Sequence, residues 1–147
     1  MRGFGRRGSE VVQVSLKAGP LQFRARLETR LAPLTCALFA RALPFRRRII
    51  HARWSGEACW VPMGDEPLGL PTENATSYPA PGQGILYPGG FSEAEFLLAY
   101  GGVRFASKLG QLAGNHFLTI EDSLGPLAEL GRLALWEGAQ DLVVEAE

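Results

Sequence analysis

Residues Ile49 to Trp60 read IIHARWSGEACW, and the fold is read outward from them. The even positions are mostly apolar: Ile50, Ala52, Trp54, Ala58 and Trp60. His51, Arg53, Ser55 and Glu57 take the odd ones. A period of two belongs to a β-strand with one buried face. The alternation predicts one half-buried strand whose other face carries an imidazole, a guanidinium, a hydroxyl and a carboxylate. Such a face is either solvated outer surface or the floor of a site.

On the N-terminal side, Val11 to Leu16 and Leu21 to Leu27 also alternate, and Ala18-Gly19-Pro20 between them reads as a turn. Leu21, Phe23, Ala25 and Leu27 share one face of the second run, with Arg24 and Arg26 on the other. This predicts a hairpin with one buried side. From Ala32 to Pro44 the spacing is helical, with Pro33 suited to the first turn and Pro44 ending the run. Little of this helix is polar, so it is expected to be mostly buried, with Cys36 as a small core residue.

On the C-terminal side, Pro62 to Gly84 is rich in Pro, Gly, Thr, Ser and Asn. A long loop inside a compact domain is often functional. Strands are expected at Ile85–Tyr87, Phe96–Tyr100, Val103–Ala106, Asn115–Ile120 and Asp141–Glu145. A second helix is expected over Pro126–Glu137, ended by Gly138. Its inward stripe is Leu127, Leu130 and Ala134. Many short strands with two helices suggest a β-barrel with helical caps, in one domain over residues 1–147.

Composition narrows the function. The 147 residues suffice for one domain with a real core. Fifteen basic and fifteen acidic residues give a net charge of zero, which argues against a nucleic-acid binder. The basic run at Arg2, Arg6 and Arg7 reads as a terminus, and Arg46-Arg47-Arg48 as a solvated turn. Cys36 and Cys59 show neither metal spacing nor a disulfide framework, so a reduced, cytoplasmic setting is expected. No segment approaches membrane-spanning length, and the start lacks the apolar stretch of a signal peptide. Asn74-Ala75-Thr76 matches a glycosylation sequon, which without a secretion signal is a chance match.

Several side chains are candidates for chemistry. Arg53 and Glu57 form either a ligand clamp or a surface ion pair in a strand bounded by Trp54 and Trp60. Gly56 suits a bulge that re-aims Glu57. His51 and His116 are the two histidines, each a general base or a hydrogen-bonded structural residue. With Glu57 or Glu73 they supply donor types for a facial metal site, but in no known spacing, so neither metal nor cofactor is expected. Glu73 to Pro79 either lines a pocket or satisfies turn backbone groups. Tyr78 is its best binding candidate, an aromatic with a hydroxyl. No nucleophile elbow exists, and Pro81-Gly82-Gln83-Gly84 lacks the Lys and the following Ser or Thr of a phosphate loop.

The runs FRARL (Phe23–Leu27) and APLT (Ala32–Thr35), followed by Phe39 and Leu43, resemble the opening of a cyclophilin. HAR (His51–Arg53) is similar to the strand carrying the cyclophilin catalytic arginine, and GNHFL (Gly114–Leu118) to a segment lining that active site. HARWSGEACW, ENATSYPAPG, AYG, GNHF and LWEGAQ more closely resemble an uncharacterised cyclophilin-like family of prokaryotes, a domain of unknown function. The resemblance spans nearly the whole chain. It implies a mainly β fold: a closed antiparallel eight-stranded barrel capped by two α-helices.

It also implies a ligand site on the outer barrel surface. There Arg53 matches the arginine that polarises a prolyl peptide, whose rotation barrier is about 18–20 kcal/mol unaided. His116 matches a substrate-holding Gln, Leu118 an aromatic of the proline pocket, and Tyr100 falls near an asparagine that binds peptide backbone. Trp54-Ser55-Gly56-Glu57 departs from the Pro, Gly and Phe of cyclophilins, and Leu118 replaces an aromatic.

The expected function is therefore binding of a small polar or anionic ligand near Arg53. Glu57 and His116 are candidate catalytic residues beside Arg53; Trp54, Glu73, Tyr78, Tyr100 and Asn115 are candidate ligand contacts. A small molecule or short peptide is the expected partner, with no nucleic acid and no membrane. Prolyl isomerisation and a structural role in a homo-oligomer are the alternatives.

Overall fold

A computed structural model describes residues 11–147 of the chain. The basic run at Arg2, Arg6 and Arg7 lies outside the described residues. The predicted hairpin is β1 (Gln13–Ala18) and β2 (Leu21–Leu27), joined at Gly19-Pro20 with Ala18 opposite Leu21. Along β2, Phe23, Ala25 and Leu27 are buried and Gln22, Arg24 and Arg26 exposed, as the alternation requires.

The stretch Ile49–Trp60 is not one strand. β3 (Phe45–His51) and β4 (Gly56–Pro62) are antiparallel neighbours, with Ile50 opposite Trp60 and His51 opposite Cys59. Ala52 to Ser55 make the turn, closed by Ala52 N–H donating to the Ala58 carbonyl at 2.9 Å. The inward residues are Ile49, Cys59 and Val61. The apolar even positions Ala52, Ala58 and Trp60 pack in a second cluster, on the outer face. The turn needs Gly56: its φ is +102°, and a β-carbon there would lie 2.7 Å from the Gly102 carbonyl oxygen.

The remaining strands are β5 (Ala75–Thr76), β6 (Gln83–Tyr87), β7 (Glu95–Val103), β8 (Ala106–Ser107), β9 (Gly110–Gln111), β10 (Gly114–Ile120) and β11 (Gln140–Ala146). The ring runs β2, β1, β11, β3, β4, β7, β6, β10 and closes where β10 pairs with β2, Leu118 opposite Leu27. This is a closed antiparallel eight-stranded barrel. Closure leaves no free sheet edge on those strands.

Two helices complete it, α1 (Pro33–Arg41) and α2 (Gly125–Glu137). α1 buries Thr35, Cys36, Phe39 and Ala40, while Leu34 is 54% exposed, so it is less buried than its composition suggested. The Phe39 ring lies 4.9 Å from Phe117 and 5.1 Å from Phe45, in the middle of the barrel core. α2 lays Leu127, Leu130 and Ala134 against the same core. Both cysteines are buried and unpaired. No helix of the described residues is long and apolar enough to cross a membrane.

Outside the barrel, Ala58, Ile85, Tyr87, Leu97, Phe105 and Leu112 form the second, smaller core. Residues Val103–Leu112, which include the β8–β9 hairpin, fold over the outer face of β4, β6 and β7 and make this core possible. The flap is fastened by Phe105 N–H to the Ser77 carbonyl at 2.7 Å and Arg104 N–H to the Ser55 carbonyl at 3.0 Å.

Candidate functional site

Between the β3–β4 turn, the flap and the segment leading into β7 lies a cleft of about 670 Å³, within the range of small-molecule sites. The turn contributes Arg53, Trp54 and Ser55, and β4 contributes Trp60. Asp65, Phe91, Glu93 and Glu95 line it from one side; Ser107, Lys108 and Leu109 of the flap line it from the other. Ser55 is 4% exposed and latches turn to flap: its hydroxyl donates to the Ala106 carbonyl and accepts from Ala106 N–H, both at 3.0 Å. The Arg53 guanidinium lies 5.6 Å from the Trp54 ring centre, and Trp54 is 54% exposed.

Glu95 is the residue that sequence reading missed. It is 7% exposed and sits opposite Pro62 on β4 and Tyr87 on β6, on the outer face. Among the described residues its carboxyl takes no hydrogen bond or ion pair, and its oxygens are not sealed off: they open on the cleft. Burial, and then the neighbouring Glu93, push this carboxyl up to about 8. The available signal is an acidic residue placed directly before the continuous apolar run Phe96 to Ala99. The strand begins at Glu95, one residue before the expected Phe96.

Of the sequence candidates, Arg53 and Trp54 share this cleft and the others do not line it. The Glu57 carboxylate accepts the Gly102 N–H at 2.8 Å, tying β4 to β7, rather than pairing with Arg53. Glu73 accepts from Thr35 N–H at 2.6 Å and from the Thr35 hydroxyl at 2.7 Å, and so caps α1. Asn115 is buried and donates to Thr35 Oγ1 at 3.0 Å and to the Pro71 carbonyl at 2.9 Å. With Glu73 N–H donating to its Oδ1, it pins the long loop to α1. Tyr78 is 63% exposed on that loop.

The two histidines occupy separate networks. His51 Nδ1 donates to the Ala52 carbonyl at 2.8 Å, so its Nε2 accepts from the Tyr100 hydroxyl at 2.7 Å. Desolvation raises the Tyr100 phenol above its ordinary value. The Thr119 hydroxyl donates its one proton to Glu28 at 2.6 Å and therefore accepts from His116 Nε2 at 2.8 Å. Desolvation lowers His116 below its ordinary value, favouring the neutral ring, whose Nδ1 can then accept from Asn74 Nδ2 at 3.4 Å. β10 lies three strands from β4, about 14 Å at ~4.8 Å per strand, so His116 and Arg53 do not meet. Leu118 is fully buried in the barrel core.

Residues 14–145 match the family described as "Protein of unknown function (DUF3830)", and the chain belongs to that family. No functionally curated protein matches it. McbB, solved in complex with tryptophan, is similar over 92% of this chain with a TM-score of 0.70 and 16% identity. The match covers 45% of McbB, so the chain spans less than half of that protein. The hypothetical protein AF2241 from Archaeoglobus fulgidus, known from a solution structure, matches 98% of this chain and all of its own length. Its TM-score is 0.60 at 18% identity. At these identities the likeness is one of fold, and it fits the resemblance to an uncharacterised cyclophilin-like family.

Proposed function

We propose that the chain binds a small polar or anionic ligand in the outer cleft, anchored by Arg53. The carrying observation is the cleft itself, which gathers Arg53, Trp54, Trp60 and a nine-tenths buried Glu95 that has no partner among the described residues. A concave hollow of this size, with aromatic walls and convergent charged groups, suits a small polar molecule. The similar fold of McbB accompanies a bound small molecule, tryptophan, which agrees with this reading. Arg53 supplies a forked donor for a carboxylate or carbonyl. In this proposal Glu57, Glu73, Tyr100, Asn115 and His116 hold the framework, and Trp54 with Arg53 touches the ligand.

A thermal-shift screen of small anions and amphoteric metabolites tests it. Ligands that stabilise the parent are expected to lose affinity about tenfold or more in Arg53→Ala, the cost of one charge-assisted contact. Hits that bind Arg53→Ala as tightly as the parent would refute the assignment. Turnover of a proline peptide that vanishes in Arg53→Ala would replace binding with isomerisation.

A further inference from the structure

The charges around the cleft are sorted, not mixed. At the end of β4 marked by Pro62, three carboxyls gather. Glu95 is opposite Pro62, and Glu93 accepts the Gly64 N–H at 3.1 Å beside Asp65. At the other end, the turn before Gly56 holds Arg53, and the Ser55 latch brings the flap with Lys108 alongside. Seven residues of β4 separate the two ends, about 20 Å of backbone at ~3.3 Å per residue. Trp60 lies between them, with Leu97 opposite. Taking the cleft as the binding site, we infer that it takes an elongated amphoteric ligand: a protonated amine at Glu95, a carboxylate at Arg53 and Lys108, and an uncharged span over Trp60.

Each part of the site excludes something. The Glu95 carboxyl opens on the cleft and takes no donor from the described residues, so an occupant that displaces water from it must bring donors of its own. A plain anion would place its charge near three carboxyls or leave them unanswered, and a plain amine would leave the basic end unused. A free α-amino acid carries both charges on one carbon and cannot reach both ends. An unblocked extended peptide of about six residues can, at ~3.3–3.6 Å per residue, and so can an ω-amino acid of similar length. The raised carboxyl of Glu95 agrees: the arriving ammonium lets it ionise, so binding near pH 7 releases a proton.

Calorimetric titration of the full chain decides this. The probes are ω-amino acids of increasing length and the unblocked hexapeptide Ala-Leu-Ala-Leu-Ala-Ala, with free alanine as the short control. Long probes are expected to bind and alanine not to. Acetylating the amine or amidating the carboxylate should each weaken binding about tenfold or more. Glu95→Gln should erase the acetylation penalty and the proton release. Arg53→Ala should erase the amidation penalty. Equal affinity for blocked and free probes overturns the inference. So does failure of every probe while another anion still binds in an Arg53-dependent way; that result spares the cleft as the site. Loss of any Arg53 dependence removes the cleft reading itself.

Discussion

Glu95 carries the clearest consequence at the scale of one residue. Its carboxyl is pushed from an ordinary 4.5 up to about 8 by burial and by Glu93. The unfolded chain releases this proton near the ordinary value, while the folded chain keeps it to about pH 8. Across that window the native state holds the extra proton. Its stability is therefore complete below about pH 4.5, falls as pH rises, and levels off above 8. At ~1.4 kcal/mol per unit the upper bound is about 4–5 kcal/mol. Glu95→Gln keeps the shape and removes the charge. Urea midpoints of the variant should decline much less between about pH 5 and 8, and should exceed the parent's at pH 8. Parallel declines would mean that Glu95 is ionised in the folded protein. The residue scale also explains why Arg53 and Trp54 were legible and Glu95 was not. The first two announce themselves locally, as charge and aromatic in one turn. Glu95 reaches the cleft only through the pairing of β7 with β4, which no neighbour in sequence signals.

The elements were legible where one face is wet. β2 has three arginine-or-glutamine positions outward, and its alternation gave its face directly. β3 and β4 read as one strand because seven residues, Ala52 to Ala58, separate the paired His51 and Cys59. Cross-strand partners share a face, and an odd-numbered connection gives them the same parity, so the alternation runs through it without a break. The direction was lost as well, since β4 is buried on both faces, by the barrel core and by the flap. α2 was found from Pro126 and Gly138, but the role of Gly131 was not. A β-carbon on Gly131 would fall inside the Tyr100 ring, whose hydroxyl meets His51. In an exposed helix, Gly→Ala gains about 1 kcal/mol. Gly131→Ala is expected instead to cost about 1–3 kcal/mol in urea unfolding, because Tyr100 must move and its bond to His51 break. A stabilised variant would show that α2 is free to lift.

At the scale of the whole molecule, the chain has two cores with different standing. The barrel core is closed by its own ladder and filled by Phe39, Phe96 and Phe117. The outer core exists only because the flap lies down on it. Phe105 is the flap's main anchor: fully buried, 6.0 Å from the Tyr87 ring, and bonded through its backbone to Ser77 and Leu112. Truncating a buried Phe costs about 3–5 kcal/mol where the structure cannot yield. Here it can yield, since the flap is able to open without parting the barrel strands. Phe105→Ala should therefore raise hydrogen exchange at the Ala106 and Leu112 amides while leaving β1, β2 and β11 protected. The same change loosens the Ser55 latch, so Arg53-dependent binding should fall although Phe105 does not line the cleft. Loss of protection spread equally over flap and barrel would mean that the two cores fold as one unit, and that the cleft is as rigid as the barrel beneath it.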